Sequence, residues 1–378
     1  MKRIICVFVF LACLVGLLPT VQAVTTDGKS AVLMDVATGT VLYEQNAHEP
    51  LPPASVTKVM TMLLIMEAID KGQIHWDDQV VASEAAAAKG GSQVYLKVGE
   101  TMTVEEMVKS IAVSSANDCA CAMAEYIAGS ESAFVDRMNA RAKELGMNDT
   151  HFVNCTGLDD DENAKDHKTS AYDIAVMSRE LLKNHPDITQ YTTIWMDTVR
   201  DGAFGLSNTN KLVRFYNGAT GLKTGFTAKA GYCLSASAER DGMELIAVVM
   251  GCETSAQRFN SCKQLLDHGF ANYGILQPEL EAPATVPVKL GNQEAVVAIP
   301  AHRDAMLVEK GQLNQVTFRT QLDETVTAPV SRGQRLGTLS VMVGEQVLTQ
   351  IPLVAQDSVG RRTWGQLFRE VLQKVCMG

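Results

Sequence analysis

Three short groupings of residues carry the chemistry legible in this sequence. Ser55-Val56-Thr57-Lys58 follows Pro52-Pro53-Ala54, Ser115-Ala116-Asn117 lies 60 residues further on, and Lys223-Thr224-Gly225 comes 108 residues after that. A helix beginning near Ser55 puts residues i and i+3 on one face, so the Lys58 amine reaches the Ser55 hydroxyl. An alcohol is a poor nucleophile until something takes its proton, and a lysine does so only when burial or a neighbouring cation lowers its pKa. Lys223 is the candidate cation. A serine at a helix N-terminus also faces the positive end of the helix dipole, where a developing anion is favoured. Ser115 is a candidate to relay a proton to a leaving amine, and Asn117 can both donate to and accept from a substrate amide. Lys223 and Thr224, on an edge strand, suit a peptide carboxylate lying alongside. Each motif recurs by chance in chains of this length; their order, their spacing and an export signal together carry the reading.

The elements that must position these residues follow from periodicity. Ser30 to Met34 and Thr40 to Tyr43 read as two strands joined by a tight turn at Ala37-Thr38-Gly39. From Ser55, apolar residues at helical spacing (Val59, Met62, Leu63, Met66) predict a helix. The helical pattern spans Val104 to about Leu145 with a break at Gly129-Ser130, and another helix is expected from Ser170 to Leu182, capped by Thr169 or Ser170. Strands return at Gly221–Phe226, Tyr232–Ala238 and Glu244–Met250, and a helical stretch runs from Cys252 to Asn272. Helices in the middle with strands at both ends predict one sheet assembled from the two ends of a domain. Pro278, Pro283 and Pro287 mark a linker, and Val286 to Val354 reads as short alternating strands, with a turn at Gly344-Glu345.

The two ends of the chain differ from the rest. Lys2 and Arg3, an apolar run from Ile4 to Leu18 and the small-residue end Val21-Gln22-Ala23 have the order of a secretory signal peptide. Cleavage after Ala23 removes two positive side chains and takes the formal charge from −10 to −12. An acidic chain of 378 residues with 46% hydrophobic residues excludes a nucleic-acid partner and a disordered chain. At the other end Trp364, Leu367, Phe368, Val371, Leu372 and Val375 form one apolar stripe, and Arg361, Arg362, Arg369 and Lys374 make the segment basic, so it is expected to be a reversible interfacial anchor, the alternative being a helix docked on the protein's own surface. Seven cysteines remain in the mature chain without disulfide-framework or zinc-site spacing; they are read as buried free thiols, with one bridge left open. No cofactor or metal is expected.

On these motifs the sequence resembles the low-molecular-mass penicillin-binding proteins of the D-alanyl-D-alanine carboxypeptidase type. The resemblance extends to Ala54–Thr61, Ser115-Ala116-Asn117-Asp118, Leu145-Gly146-Met147, Thr150–Asn154, Thr156-Gly157-Leu158, Asn208–Leu212 and Gly221–Thr227. It implies an α+β fold: a β-lactamase/transpeptidase-like catalytic domain, with an antiparallel sheet and a helical subdomain, then a small all-β domain and a C-terminal amphipathic helix. The expected division is 1–23 signal peptide, 24–275 catalytic domain, 276–356 β-rich domain and 357–378 membrane-associating helix. The implied activity is removal of the terminal D-alanine from peptidoglycan stem pentapeptides through an acyl-enzyme on Ser55, with covalent binding of β-lactam antibiotics and a role in cell wall biogenesis and remodelling.

The resemblance makes Ser55 the nucleophile and Lys58 the proton acceptor. Ser115 and Asn117 complete the site, while Lys223, Thr224 and Gly225 bind the substrate's terminal carboxylate region. The oxyanion hole is implied to be the backbone N–H groups of Ser55 and Phe226. Some members carry His where this chain has Phe226, which leaves the backbone donor in place and changes the side chain that substrate meets. The implied location is extracytoplasmic, peripheral on the outer face of the cytoplasmic membrane.

Two alternatives use the same residues. A β-lactamase of class A needs a Glu in a Glu-x-x-Leu-Asn stretch, and Glu180-Leu181-Leu182-Lys183-Asn184 has the wrong pattern and sits in a predicted helix. A non-catalytic sensor would be acylated without turnover. His151 and His167 are read as structural or solvent-exposed, and Asp159-Asp160-Asp161-Glu162 as a solvated acidic loop.

Overall fold

The computed structural model describes residues 24–159, 162–280, 284–366 and 368–369. The expected signal peptide, Asp160, Asp161 and Cys376 lie outside them.

Strands β1 (Ser30–Asp35) and β2 (Val41–Gln45) form the predicted hairpin, and β3 (Ala219–Thr227), β4 (Gly231–Arg240) and β5 (Met243–Cys252) form the predicted meander. They join into one antiparallel sheet in the order β2-β1-β5-β4-β3, with β1 pairing β5 from Ser30 opposite Met250 to Asp35 opposite Leu245. Successive strand residues point to opposite faces. Val32, Met34, Ile246 and Val248 therefore enter one core, and Ala31, Leu33, Leu245 and Ala247 enter a second core on the other face. The second core is closed by helix α6 (Ser255–Asn272) through Phe259, Cys262, Leu265 and Leu266. The first receives helices α1 (Lys58–Asp70), α2 (Val104–Ser114), α3 (Asn117–Ala128), α4 (Glu131–Glu144) and α5 (Ala171–Asn184).

Helix α1 is buried at nine of its thirteen positions, from Lys58 through Ala68, which is why its sequence is apolar on all sides. Surface helices begin where their caps say they should. Thr103 with Glu106 and Thr254 with Gln257 form capping boxes, Ser130 caps α4, and Ser170, rather than Thr169, caps α5.

One helix boundary differs from the expectation. The pattern from Val104 to Leu145 breaks at Gly129-Ser130 as predicted, but also at Ser115-Ala116, where Ser115 takes a left-handed conformation, φ 64°. Alanine and serine carry no turn signal there, and apolar residues continue on both sides. The break exists because Asn117 N–H bonds to Ser92 O (2.7 Å) and Val113 O accepts from Thr209 N–H (3.1 Å), both contacts from distant chain.

The second domain holds strands β6 (Ala284–Lys289), β7 (Ala295–Pro300), β8 (Val316–Leu322), β9 (Val326–Thr327), β10 (Arg335–Val343) and β11 (Gln346–Ala355), in the order β8-β10-β11-β7-β6-β9. The turn at Gly344-Glu345 joins β10 to β11 as expected. Pro287 is not linker but part of β6, opposite Ala295. Residues 357–362 also differ from the expected helix. Val359 is buried and bridges to Val330, and Arg361 bridges to Gly291 and donates to Ala328 O (2.9 Å), so these residues complete the β-domain core. Helical turns begin only at Trp364, and most of the remaining tail lies outside the described residues. Among the described residues, no helix is long and apolar enough to cross a membrane. The six described cysteines from Cys119 to Cys262 are buried free thiols, as read from sequence.

Candidate active site

Ala54 to Thr57 form a single 3-10 turn that runs directly into α1. Ala54 adopts φ 48°, a left-handed conformation that costs a non-glycine residue ~1–3 kcal/mol and persists only where surrounding contacts hold it. Lys58 opens α1 with its side chain fully buried, and its Nζ lies 2.9 Å from Ser55 Oγ and 2.9 Å from Thr156 O. Burial drives the Lys58 pKa down to about 7, against weaker opposing pulls from Cys155 and Asp118. A neutral amine at this distance can accept the Ser55 proton and still donate to Thr156 O.

The second motif lies at the break between α2 and α3, where Ser115, Ala116 and Asn117 are all buried. Asn117 Nδ2 donates to Gly90 O (2.7 Å), while its Oδ1 is buried with no hydrogen-bond partner among the described residues. A buried amide oxygen left open costs free energy unless a ligand fills it. Asp118, the next residue, accepts from Val94 N–H (3.1 Å) and Leu96 N–H (3.0 Å). It thereby fixes the loop that carries Gly90. Gly90 also lines a cavity of about 400 Å³, together with Lys89, Glu131, Asn154, Thr156 and Leu158.

The third motif lies on β3, which ends the sheet. Lys223 is buried and donates to Thr224 O (2.8 Å); burial first, then Lys58 and Arg258, push its pKa well below the ordinary lysine value. Thr224 Oγ1 donates to Thr209 Oγ1 (2.7 Å), and the Thr209 N–H bonds to Val113 O, which links the third motif to the second. Gly225 closes onto the first. A Cβ there would stand 2.6 Å from Pro53 O and 3.1 Å from Val56 N, so only glycine lets the strand press against the turn that carries Ser55. Phe226 follows, half exposed and stacked on Tyr232 with ring centroids 4.3 Å apart.

Three motifs in fixed order, an uncharged-capable lysine on a serine and a β-domain behind them point to one family, and comparison decides it. A D-alanyl-D-alanine carboxypeptidase family model matches residues 19–254, and a penicillin-binding protein 5 C-terminal domain model matches residues 279–361. The chain belongs to the D-alanyl-D-alanine carboxypeptidase family. D-alanyl-D-alanine carboxypeptidase DacF of Bacillus subtilis is 45% identical over 339 residues, 88% of this chain and 86% of that one. The crystal structure of penicillin binding protein 5 from Haemophilus influenzae covers 90% of this chain and 100% of its own, at 29% identity and TM-score 0.75. Penicillin-binding protein D2 from Listeria monocytogenes, solved in an ampicillin-bound form, covers 66% of this chain and 99% of its own, at 33% identity and TM-score 0.57. This carboxypeptidase is a serine hydrolase and penicillin-binding protein of the cell wall, with the α+β catalytic fold and all-β second domain that the resemblance implied.

Several residues of the carboxypeptidase site were not legible in its motifs. Thr156 contributes a backbone oxygen, which any residue carries. Thr209 and Arg258 meet the third motif only through folding, Arg258 by donating to Gly225 O (2.9 Å) and Cys233 O (3.3 Å). Glu180, weighed as a β-lactamase base, is tied to Arg141 at 2.6 Å on α5. Of the two readings given for His167, structural or solvent-exposed, the first holds: it is buried, with Thr57 Oγ1 at 2.8 Å.

Proposed function

We propose that Ser55 is the residue acylated during D-alanine release, with the other motif residues in the roles set out above. Ser55 Oγ attacks the carbonyl of the penultimate D-alanine while its proton passes to Lys58 Nζ. The oxyanion is held by the N–H groups of Ser55 and Phe226. Support for the second donor comes from Arg258, which takes the Gly225 carbonyl; in a trans peptide the following N–H, that of Phe226, points the opposite way. Collapse breaks the peptide C–N bond, and the proton reaches the leaving amine by way of Ser115. Water then hydrolyses the ester. Lys223 and Thr224 bind the terminal carboxylate, whose negative charge restores the ammonium form that burial disfavours. Asn117 Oδ1 accepts from a substrate amide. The same serine ester forms when a β-lactam ring opens.

The observation that carries this reading is the buried Lys58 amine 2.9 Å from Ser55 Oγ with a pKa of about 7. Mass spectrometry of the penicillin-treated protein should place one adduct on the peptide containing Ser55, and Ser55→Ala should abolish both that adduct and D-alanine release from a D-Ala-D-Ala peptide. Acylation without release of D-alanine would leave a sensor in place of an enzyme.

The chain works outside the cytoplasmic membrane, exported by residues 1–23, with a catalytic domain over 24–275 and a β-domain behind it. Its C-terminal helix lies peripherally on the outer membrane face. Trp364 and Phe368 support this, standing 88% and 66% exposed instead of packing on the protein's own surface. Large apolar side chains left in water at the end of a basic segment suit an interface.

A further inference from the structure

His167 is a buried histidine that the chemistry above does not use. It sits on the connection between α4 and α5, and its ring packs edge-on against Phe152, centroids 5.7 Å apart. Both ring nitrogens are engaged. Val153 N–H lies 3.1 Å from Nδ1, and Thr57 Oγ1 lies 2.8 Å from Nε2. A backbone N–H can only donate, so Nδ1 carries the lone pair and Nε2 carries the proton. Nε2 therefore donates to Thr57 Oγ1, which leaves the threonine proton for Ala54 O, 2.9 Å away.

The direction of these bonds is thus set from one end to the other: Val153 N–H to His167, His167 to Thr57, Thr57 to Ala54. The last acceptor is the carbonyl of the left-handed residue immediately before Ser55. On its other side, Gly157 presses so closely that an added Cβ would overlap the Ala54 carbonyl and stand 2.7 Å from Thr57 Oγ1. The loop that clamps the turn also supplies the Thr156 oxygen to Lys58 and the Cys155 oxygen to Thr61 Oγ1 (2.6 Å). One loop thereby sets the conformation before the serine and the position of the lysine after it.

We infer that His167 is a positioning residue for acylation: through Thr57 it holds the Ala54 turn that aims Ser55 Oγ at the substrate carbonyl. This rests on the reading of Ser55 as the nucleophile. His167 touches no substrate and exchanges no proton during the reaction. Its contribution is orientation, where displacement of a nucleophile by about 1 Å costs on the order of a hundredfold in rate.

The test uses the full chain and measures penicillin acylation, split into non-covalent affinity and the acylation rate constant, beside thermal unfolding. His167→Phe keeps the ring and its packing on Phe152 but removes both hydrogen bonds; Thr57→Val removes the hydroxyl at constant shape. Each should lower the acylation rate constant by about 10- to 100-fold with affinity changed less than about threefold. His167→Gln, whose amide can donate to Thr57, and Thr57→Ser, which retains the hydroxyl, should recover most of that loss. The double variant His167→Phe/Thr57→Val should be no slower than the slower single one, because the two residues act in one chain. A folded His167→Phe protein acylated at the wild-type rate overturns the inference, as does a double variant whose losses multiply. If His167→Phe fails to fold, the Thr57 pair decides, and failure of both to fold overturns it in favour of a purely structural role. Loss of all labelling in Ser55→Ala separates these outcomes from failure of the nucleophile assignment.

Discussion

Lys58 Nζ stands 2.9 Å from Ser55 Oγ, and the two residues are related by the last step of a 3-10 turn passing into α1. The turn brings the hydroxyl to the mouth of the site while the helix carries the amine into the core. One residue is thereby partly exposed and the other fully buried, although three positions separate them. The exposed member can meet a substrate, and the buried member has the lowered pKa that lets it act as base.

Lys58→Ala removes the base and leaves the serine. The rate of penicillin acylation should fall by about 10²- to 10⁴-fold, the usual worth of a positioned general base, with the fold retained. Labelling kinetics beside a thermal melt would check this, and wild-type labelling by a folded Lys58→Ala protein would remove lysine from its role.

Because the neutral amine is the competent form, acylation should rise with pH through an acid limb centred at about 7. The neutral fraction grows as pH increases, so the sign is an increase with pH. Initial labelling rates measured across this range would show it; a profile flat through neutrality would place the base elsewhere.

Gly225→Ala puts a methyl group 2.6 Å from Pro53 O and 3.1 Å from Val56 N. Strand β3 must back away from the nucleophile turn, which costs about 1–3 kcal/mol as overpacking and moves Phe226 N–H relative to Ser55. The expected result is a lowered melting temperature with D-alanine release reduced by ~10²-fold or more, the scale of one lost oxyanion donor. Unchanged turnover would mean that the strand and turn can separate freely.

His167 makes stability depend on acid. Burial lowers its folded pKa from 6.5 to about 4, with His151 and Lys229 acting in the same direction and Asp159 against them. Between these values the unfolded chain binds the extra proton and the folded one does not, so stability rises with pH from about 4 to 6.5 and is complete above that window. The contribution reaches at most about 3 kcal/mol. Denaturant unfolding of wild type and His167→Gln across the window should show a difference that grows as the pH falls; parallel curves would contradict a buried neutral imidazole.

The tail should be separable only at the right residue. Truncation after Thr363 should release the protein from anionic lipid vesicles and leave its melting temperature unchanged. Truncation after Gln356 also removes Val359 from the β-domain core and the Arg361 bond to Ala328 O, and should destabilise that domain. Co-sedimentation with vesicles, read beside a thermal melt, distinguishes the two cuts. Undiminished sedimentation after the shorter truncation would place the membrane contact elsewhere.

Much of the fold was legible because it rests on local regularities. Strand-like runs joined by turns placed β1, β4 and β5, the Ser170 and Gly129 signals bounded helices correctly, and Ser-x-x-Lys implied a shared face before any contact was known. Sequence alone therefore determined which residues could do chemistry, their order and the family they resemble. What the tertiary structure decided is how far each became something its type does not dictate. Ser115 is left-handed because loops from residues 92 and 209 intercept the helix around it. Lys58 has a lowered pKa because the core closes over it, and His167, read as structural or exposed, reaches Thr57 across 110 residues of chain. Burial and long-range hydrogen bonds depend on what distant segments pack there, and no pattern within a motif records that.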